Sequence, residues 1–103
     1  MKPALPNDWS DILDQVREYE LDNGLKLLML KKKGMGAVVF DIYYAGGSSI
    51  DPTGRPGLTH FLEHMLYNGT EQLQNGQLDQ VMFRASAQHN AETGADYCHF
   101  WCH

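Results

Sequence analysis

His60 and His64 stand four residues apart, and Glu63 stands immediately before the second of them. Histidines at that separation project side by side from one face of a helix, so their rings can close on a single metal ion. Zinc suits imidazole ligands and lowers the pKa of a water bound to it to about 7. Glu63 is close enough to take that water's proton as general base without being a ligand itself. The order is H-x-x-E-H, the reverse of the commoner H-E-x-x-H. The plainer alternative is an amphipathic helix with two incidental solvent-facing histidines.

The chemistry requires a helix, and the sequence supplies one. Leu58, Phe61, Leu62, Met65 and Leu66 fall at i, i+3, i+4, i+7 and i+8, one continuous apolar stripe. Thr59, His60, Glu63, His64 and Tyr67 fall on the opposite face. Asn68-Gly69 makes a stop, because both residues tolerate a left-handed backbone. The predicted helix covers about residues 57–68.

The stretch Gly57-Leu-Thr-His-Phe-Leu-Glu-His-Met-Leu-Tyr-Asn-Gly-Thr70 resembles the active-site helix of the inverzincins along its whole length. These are the zinc metallopeptidases of the pitrilysin, insulysin and mitochondrial-processing type. The resemblance runs over about residues 19–101. It implies an α+β fold, with an antiparallel or mixed sheet and helices packed on one face, similar to the first half of an inverzincin (LuxS/metallohydrolase-like) domain. It implies a zinc endopeptidase with one Zn2+ per complete active site, His60 and His64 as metal ligands and Glu63 as catalytic base.

Flanking segments agree. Asn7 or Asp8 can cap a short helix through Trp9, Ile12, Leu13 and Val16. Two apolar runs around Asp22-Asn23-Gly24 predict an antiparallel hairpin over 19–31, since Asn-Gly between such runs is a strong turn signal. Tyr19 to Leu30 also resembles the family's opening hairpin. Residues 37–44, β-branched and aromatic, read as a buried strand. Gly46-Gly47 lacks a phosphate-loop pattern and resembles a family bend that leads into the helix through an acidic residue and a glycine. A second helix, with Leu78, Val81, Met82 and Ala85 on one packing face, is predicted for 77–85.

Asn90-Ala91-Glu92-Thr93 resembles the family's Asn-Ala-x-Thr strand, a sheet edge to which an extended peptide adds as a further strand. The resemblance makes Asn90 and Ala91 substrate-contacting; the alternative is an edge strand with no ligand. His89 reads as a surface residue. Cys98 stands where the family usually has a hydroxyl residue, and Phe100 where it usually has tyrosine.

Cys98, His99, Cys102 and His103 invite a second metal site. The aromatic-rich context reads instead as a strand, with Cys98, Phe100 and Cys102 on one face and His99, Trp101 and His103 on the other. On a strand the cysteine Cα atoms lie roughly 13 Å apart, too far for a disulfide.

The chain has 103 residues, enough for one small domain with a modest core, and ordinary globular composition, 43% hydrophobic and 20% charged. Net charge is −5, and Lys31-Lys32-Lys33 reads as a solvated strand end, so neither nucleic acid nor membrane is an expected partner. No signal peptide or membrane span is visible, which makes the expected location cytoplasmic by default. The expected partners are a peptide or protein substrate in extended conformation and a homologous domain, fused or separate.

The whole chain, 1–103, reads as the N-terminal part of one metallopeptidase domain, with 1–17 an extension and 18–103 the core. Catalytic zinc keeps three protein ligands. The family's third is a glutamate many tens of residues beyond the motif, and the residues after His64 match strands rather than that helix. Glu92 and Asp96 are the local candidates to replace it. The competing function is a non-catalytic relative or fragment that binds a partner; a metal module built on the C-terminal Cys/His cluster is the third.

Overall fold

The computed structural model describes residues 12–34 and 36–103. The chain forms two compact units, Met1–Gly36 and Ala37–His103. Trp9 and the proposed caps Asn7 and Asp8 lie outside the described residues, which open on a helical turn at Ile12 and Leu13.

In the first unit, β1 (Arg17–Glu20) pairs antiparallel with β2 (Lys26–Met29), Glu20 opposite Lys26. The Gly24 N–H donates to the Leu21 carbonyl at 2.8 Å, and the Leu21 N–H to the Leu25 carbonyl at 2.9 Å. Gly24 has φ +81°. The expected hairpin is present, closed by a three-residue loop whose last residue is left-handed, a conformation glycine adopts without steric cost.

The second unit is an antiparallel sheet of β3 (Phe40–Ala45), β4 (His89–Thr93) and β5 (Tyr97–Cys102), in the order β3-β5-β4. Helix α1 covers Leu58–Leu66 and α2 covers Gln77–Arg84. The α+β class is as expected, with both helices on one face. Strand alternation turns His89, Ala91, Thr93, Cys98, Phe100 and Cys102 toward them. From α1, Tyr67 stacks on His89 and approaches Phe100. From α2, Met82 Sδ lies 3.6 Å from Cys102 Sγ. Leu78 and Met82 are half-buried, whereas Val81 and Ala85 are exposed, so half of the predicted packing face of α2 is used.

Two expectations about burial fail. Strand β3 begins at Phe40 rather than Ala37 and is exposed except for half-buried Ile42. It is an edge strand, and its ladder starts at Phe40 opposite Cys102, so Val38 and Val39 precede the paired segment. His89 is half-buried rather than on the surface, because odd-numbered positions of β4 face the helices. Its Nε2 lies 3.0 Å from Asp79 Oδ1. The C-terminal cysteines behave as predicted: both are free thiols, on the face opposite His99 and Trp101.

The packing of α1 reverses the usual rule that an amphipathic helix buries its apolar stripe. Leu58, Phe61, Leu62, Met65 and Leu66 are exposed, and the buried residue is Glu63. Glu63 and Tyr67, from the polar face, lie on the sheet, while His60 and His64 on that face stay exposed.

The approach to α1 is fixed by two contacts. A Cβ on buried Gly47 would sit 2.2 Å from the Gly94 carbonyl oxygen, so only glycine permits the bend to touch the β4–β5 turn. There the Ser48 and Ser49 N–H groups donate to the Gly94 and Ala95 carbonyls, at 2.9 and 2.8 Å. Asp51 then caps α1 from a distance. Its Oδ2 accepts from the Gly57 N–H at 2.6 Å, and its Oδ1 from the Thr59 N–H and hydroxyl at 2.8 and 2.6 Å. These bonds occupy donors that a helix N-terminus otherwise leaves free.

The Thr59 hydroxyl, followed by the backbone donors, holds the Asp51 carboxyl below its usual value of 3.8. A carboxyl whose folded pKa is depressed stabilises the fold above the unfolded pKa, and that stability is lost as pH falls through the folded value. Stability measured from pH 5 downward is therefore expected to drop below about pH 4. In Asp51→Asn the drop should be smaller, from a lower starting midpoint. Parallel acid profiles for the two proteins would remove Asp51 as the cap.

Candidate metal centre

His60, Glu63 and His64 sit on consecutive turns of α1 and point to the same side. One donor atom from each lies within 4.8 Å of the others, and among the described residues no other such group of three occurs. His60 Nε2 and His64 Nε2 are 3.1 Å apart, with ring centroids at 4.8 Å. Bonds of about 2.0–2.1 Å meeting at a tetrahedral angle need nitrogens about 3.3 Å apart, so the pair fits one zinc ion. Both imidazoles are exposed, which leaves room beside them for a further ligand and a water.

Glu63 differs from its neighbours. It is 8% exposed, and its Oε2 accepts a hydrogen bond from the Thr93 hydroxyl on β4. The Cys98 thiol, itself buried, lies 3.8 Å from Thr93 Oγ1. A buried carboxylate with one neutral hydroxyl partner is costly. Burial, then the charge of Glu63, raises the pKa of Tyr67 one turn further along.

Glu92 does not join this group. It lies on the opposite face of the sheet, where Tyr97 Oη donates to its Oε1 at 3.0 Å and His99 Nδ1 lies 3.6 Å away. The bond to Glu92 raises the Tyr97 pKa. The reason is strand periodicity: Thr93 faces α1, so Glu92 cannot. His99 is tied to Asp41 at 2.8 Å and stacked on Tyr43.

Asn90 and Ala91 lie on β4, which is an edge of the sheet. The ladder determines which groups face outward. Gln88 and His103 exchange both main-chain bonds, at 2.9 and 2.7 Å, and the Gly94 N–H donates to the Tyr97 carbonyl at 2.9 Å. Antiparallel pairs alternate, so Asn90 and Glu92 bond inward, while His89, Ala91 and Thr93 turn their N–H and C=O outward. The Ala91 N–H meets the Asn90 side-chain oxygen at 2.9 Å.

Sequence reasoning assigned no role to Thr93 or to Asp51 as a cap. The Asn-Ala-x-Thr string contained Thr93, but only the tertiary fold brings it to Glu63. Capping rules look next to the helix, and Asp51 reaches across six to eight residues.

An antiparallel sheet edge thus lies beneath a helix bearing two convergent imidazoles and a buried carboxylate. The chain belongs to a peptidase family: the family model described as Insulinase (Peptidase family M16) matches residues 28–103. It is 39% identical over 75 residues to insulin-degrading enzyme of Drosophila melanogaster, covering 69% of this chain and 8% of that protein. It is 29% identical over 82 residues to zinc protease PqqE of Helicobacter pylori, covering 79% and 18%. The crystal structure of a protease from Helicobacter pylori superposes with a TM-score of 0.78 at 29% identity, covering 84% of this chain and 21% of that one. The chain thus spans less than a fifth of the length of these two curated relatives. Among the described residues no helix is long and apolar enough to cross a membrane.

Proposed function

We propose that this chain carries the water-activating half of a zinc endopeptidase site. The observation that supports it best is the convergence of His60 Nε2 and His64 Nε2 at 3.1 Å beside a buried Glu63. His60 and His64 would hold the ion. When bound, zinc acts as a Lewis acid toward water and the scissile carbonyl. Glu63 accepts the proton of the attacking water and returns it to the leaving amine. Thr93 and burial keep that carboxylate from swinging into solvent.

Two histidines are fewer than the three protein ligands catalytic zinc keeps. In this reading the third ligand comes from outside the described residues. The chain is then the N-terminal part of one metallopeptidase domain, with residues 18–103 as its core. The exposed stripe from Leu58 to Leu66 is a contiguous apolar surface of the kind further polypeptide covers, in keeping with a homologous domain, fused or separate. The same stripe favours the second reading, a non-catalytic partner-binding relative. Zinc titration of the complete polypeptide that carries this sequence, with a competing chelator, separates the two: zinc held through His60 and His64 supports the first, and no binding at these residues removes it.

An extended peptide would add to the outer edge of β4, with Ala91 supplying main-chain groups and the Asn90 side chain at its flank. Ala91→Pro tests this cleanly. Proline deletes an N–H that points away from β5, so the ladder survives. The variant loses the bond from the Ala91 N–H to the Asn90 side chain, which a seated peptide would replace. It should fold and bind an extended peptide at least about tenfold more weakly, since the lost donor and an added steric block together exceed about 1.4 kcal/mol. Unchanged peptide affinity would mean the substrate lies elsewhere.

A further inference from the structure

We propose that Thr93 is the positioning residue of Glu63, with the Cys98 thiol placed to donate to the Thr93 hydroxyl in turn. The inference rests on the reading of Glu63 as the base, but its test does not require hydrolysis.

The argument is a count of donors and acceptors. An ionised carboxylate only accepts, so the proton between Glu63 Oε2 and Thr93 Oγ1 comes from the threonine. A hydroxyl has one proton and two lone pairs. With its proton committed to Glu63, Thr93 is left as an acceptor, and Cys98 Sγ, 3.8 Å away on β5, is placed to donate to it. The chain therefore runs from thiol to hydroxyl to carboxylate, across two strands and onto the helix. Thr93 and Cys98 are directly opposed in the β4–β5 ladder, so backbone pairing sets their spacing. Glu63 is the buried residue of α1, and Thr93 is the hydrogen-bond partner that holds its side chain. With one oxygen committed, the other is left for water.

This geometry also links substrate and base. Thr93 is two residues beyond Ala91 on the same strand, and both turn main-chain groups to the outer edge. A peptide seated on that edge touches the strand that orients Glu63. A catalytic group displaced by 1 Å can cost about a hundredfold in rate, so such coupling matters to the reaction while leaving the metal ligands untouched.

The test is carbon NMR of the 103-residue chain with labelled glutamate carboxyls, the Glu63 signal being assigned by its loss in Glu63→Gln. In the native chain that signal should show a deuterium isotope shift in mixed water, from the exchangeable Thr93 proton. Thr93→Val keeps the branched shape and should move the signal and abolish the isotope shift, with other glutamate signals unchanged. Thr93→Ser should restore both, which a purely structural role would not. Absence of the isotope shift in the native chain overturns the proposal, even if Thr93→Val fails to fold; so does a Thr93→Val chain whose Glu63 signal is native. An intact isotope shift, with no zinc held at His60 and His64 in the complete polypeptide that carries this sequence, would sustain the positioning role and remove the peptidase reading.

Discussion

Glu63→Gln is expected to lower peptide hydrolysis by about 10²- to 10⁴-fold while leaving zinc content unchanged. That range is what a positioned general base contributes. The reasoning is specific to this geometry. Glutamine matches glutamate in size, and its carbonyl oxygen can still accept from Thr93, so α1 keeps its seat on the sheet. What disappears is the ability to take a proton from water. The two histidines are untouched, so the metal stays. Stability supplies a second signature. Glu63 is buried with a neutral partner, and removing such a charge is neutral or stabilising. The melting midpoint should hold or rise as activity is lost. The measurement is cleavage of an extended peptide by the polypeptide that carries this sequence, with metal content read in parallel. A variant cutting at the native rate would show that Glu63 is not the base.

His64→Ala should abolish metal binding through this helix. Even supporting residues around a metal ligand are worth 10- to 100-fold in affinity, so loss of a ligand should cost more than about 100-fold. His60 Nε2 would be left with no nitrogen partner at 3.1 Å and could not chelate alone. Because His64 is exposed, its removal leaves no cavity, and the fold should stay intact. Elemental analysis of the complete polypeptide that carries this sequence, native and variant, with a competing chelator, gives the answer. If zinc were held equally by both proteins, the ion would belong to other residues, with the Cys98–His103 segment first to examine. That segment is an unpromising alternative, because its cysteines and its histidines lie on opposite faces of β5.

The histidine pair, the neighbouring carboxylate and the helix that carries them were legible because each is a local property. Spacing of four on a 3.6-residue period puts two rings side by side whatever the surroundings, and the structure reproduces that convergence. The hairpin was legible for the same reason: Asn23-Gly24 determines a turn within its own few residues. Strand periodicity separated Cys98 and Cys102 from His99. Burial was less legible. Composition made residues 37–44 look like a core strand, but edge position in a sheet depends on which strands arrive from elsewhere in the chain. Glu92 looked near enough to serve the metal, and only the register of β4 turned it to the other face.

The sequence by itself determined the chemistry on offer: two imidazoles and a carboxylate on one helical face, and an Asn-Ala strand able to lie at an edge. Only the tertiary structure decided how that chemistry is held. It set Glu63 of α1 against the sheet and brought Thr93 to it across thirty residues. It also sent Asp51 across a loop to cap the helix and turned the Ala91 main chain outward. The physical reason is range. Periodicity and spacing act within a few residues of the chain, whereas partners for a buried carboxylate, a distant cap or an open strand edge exist only once separate segments have packed.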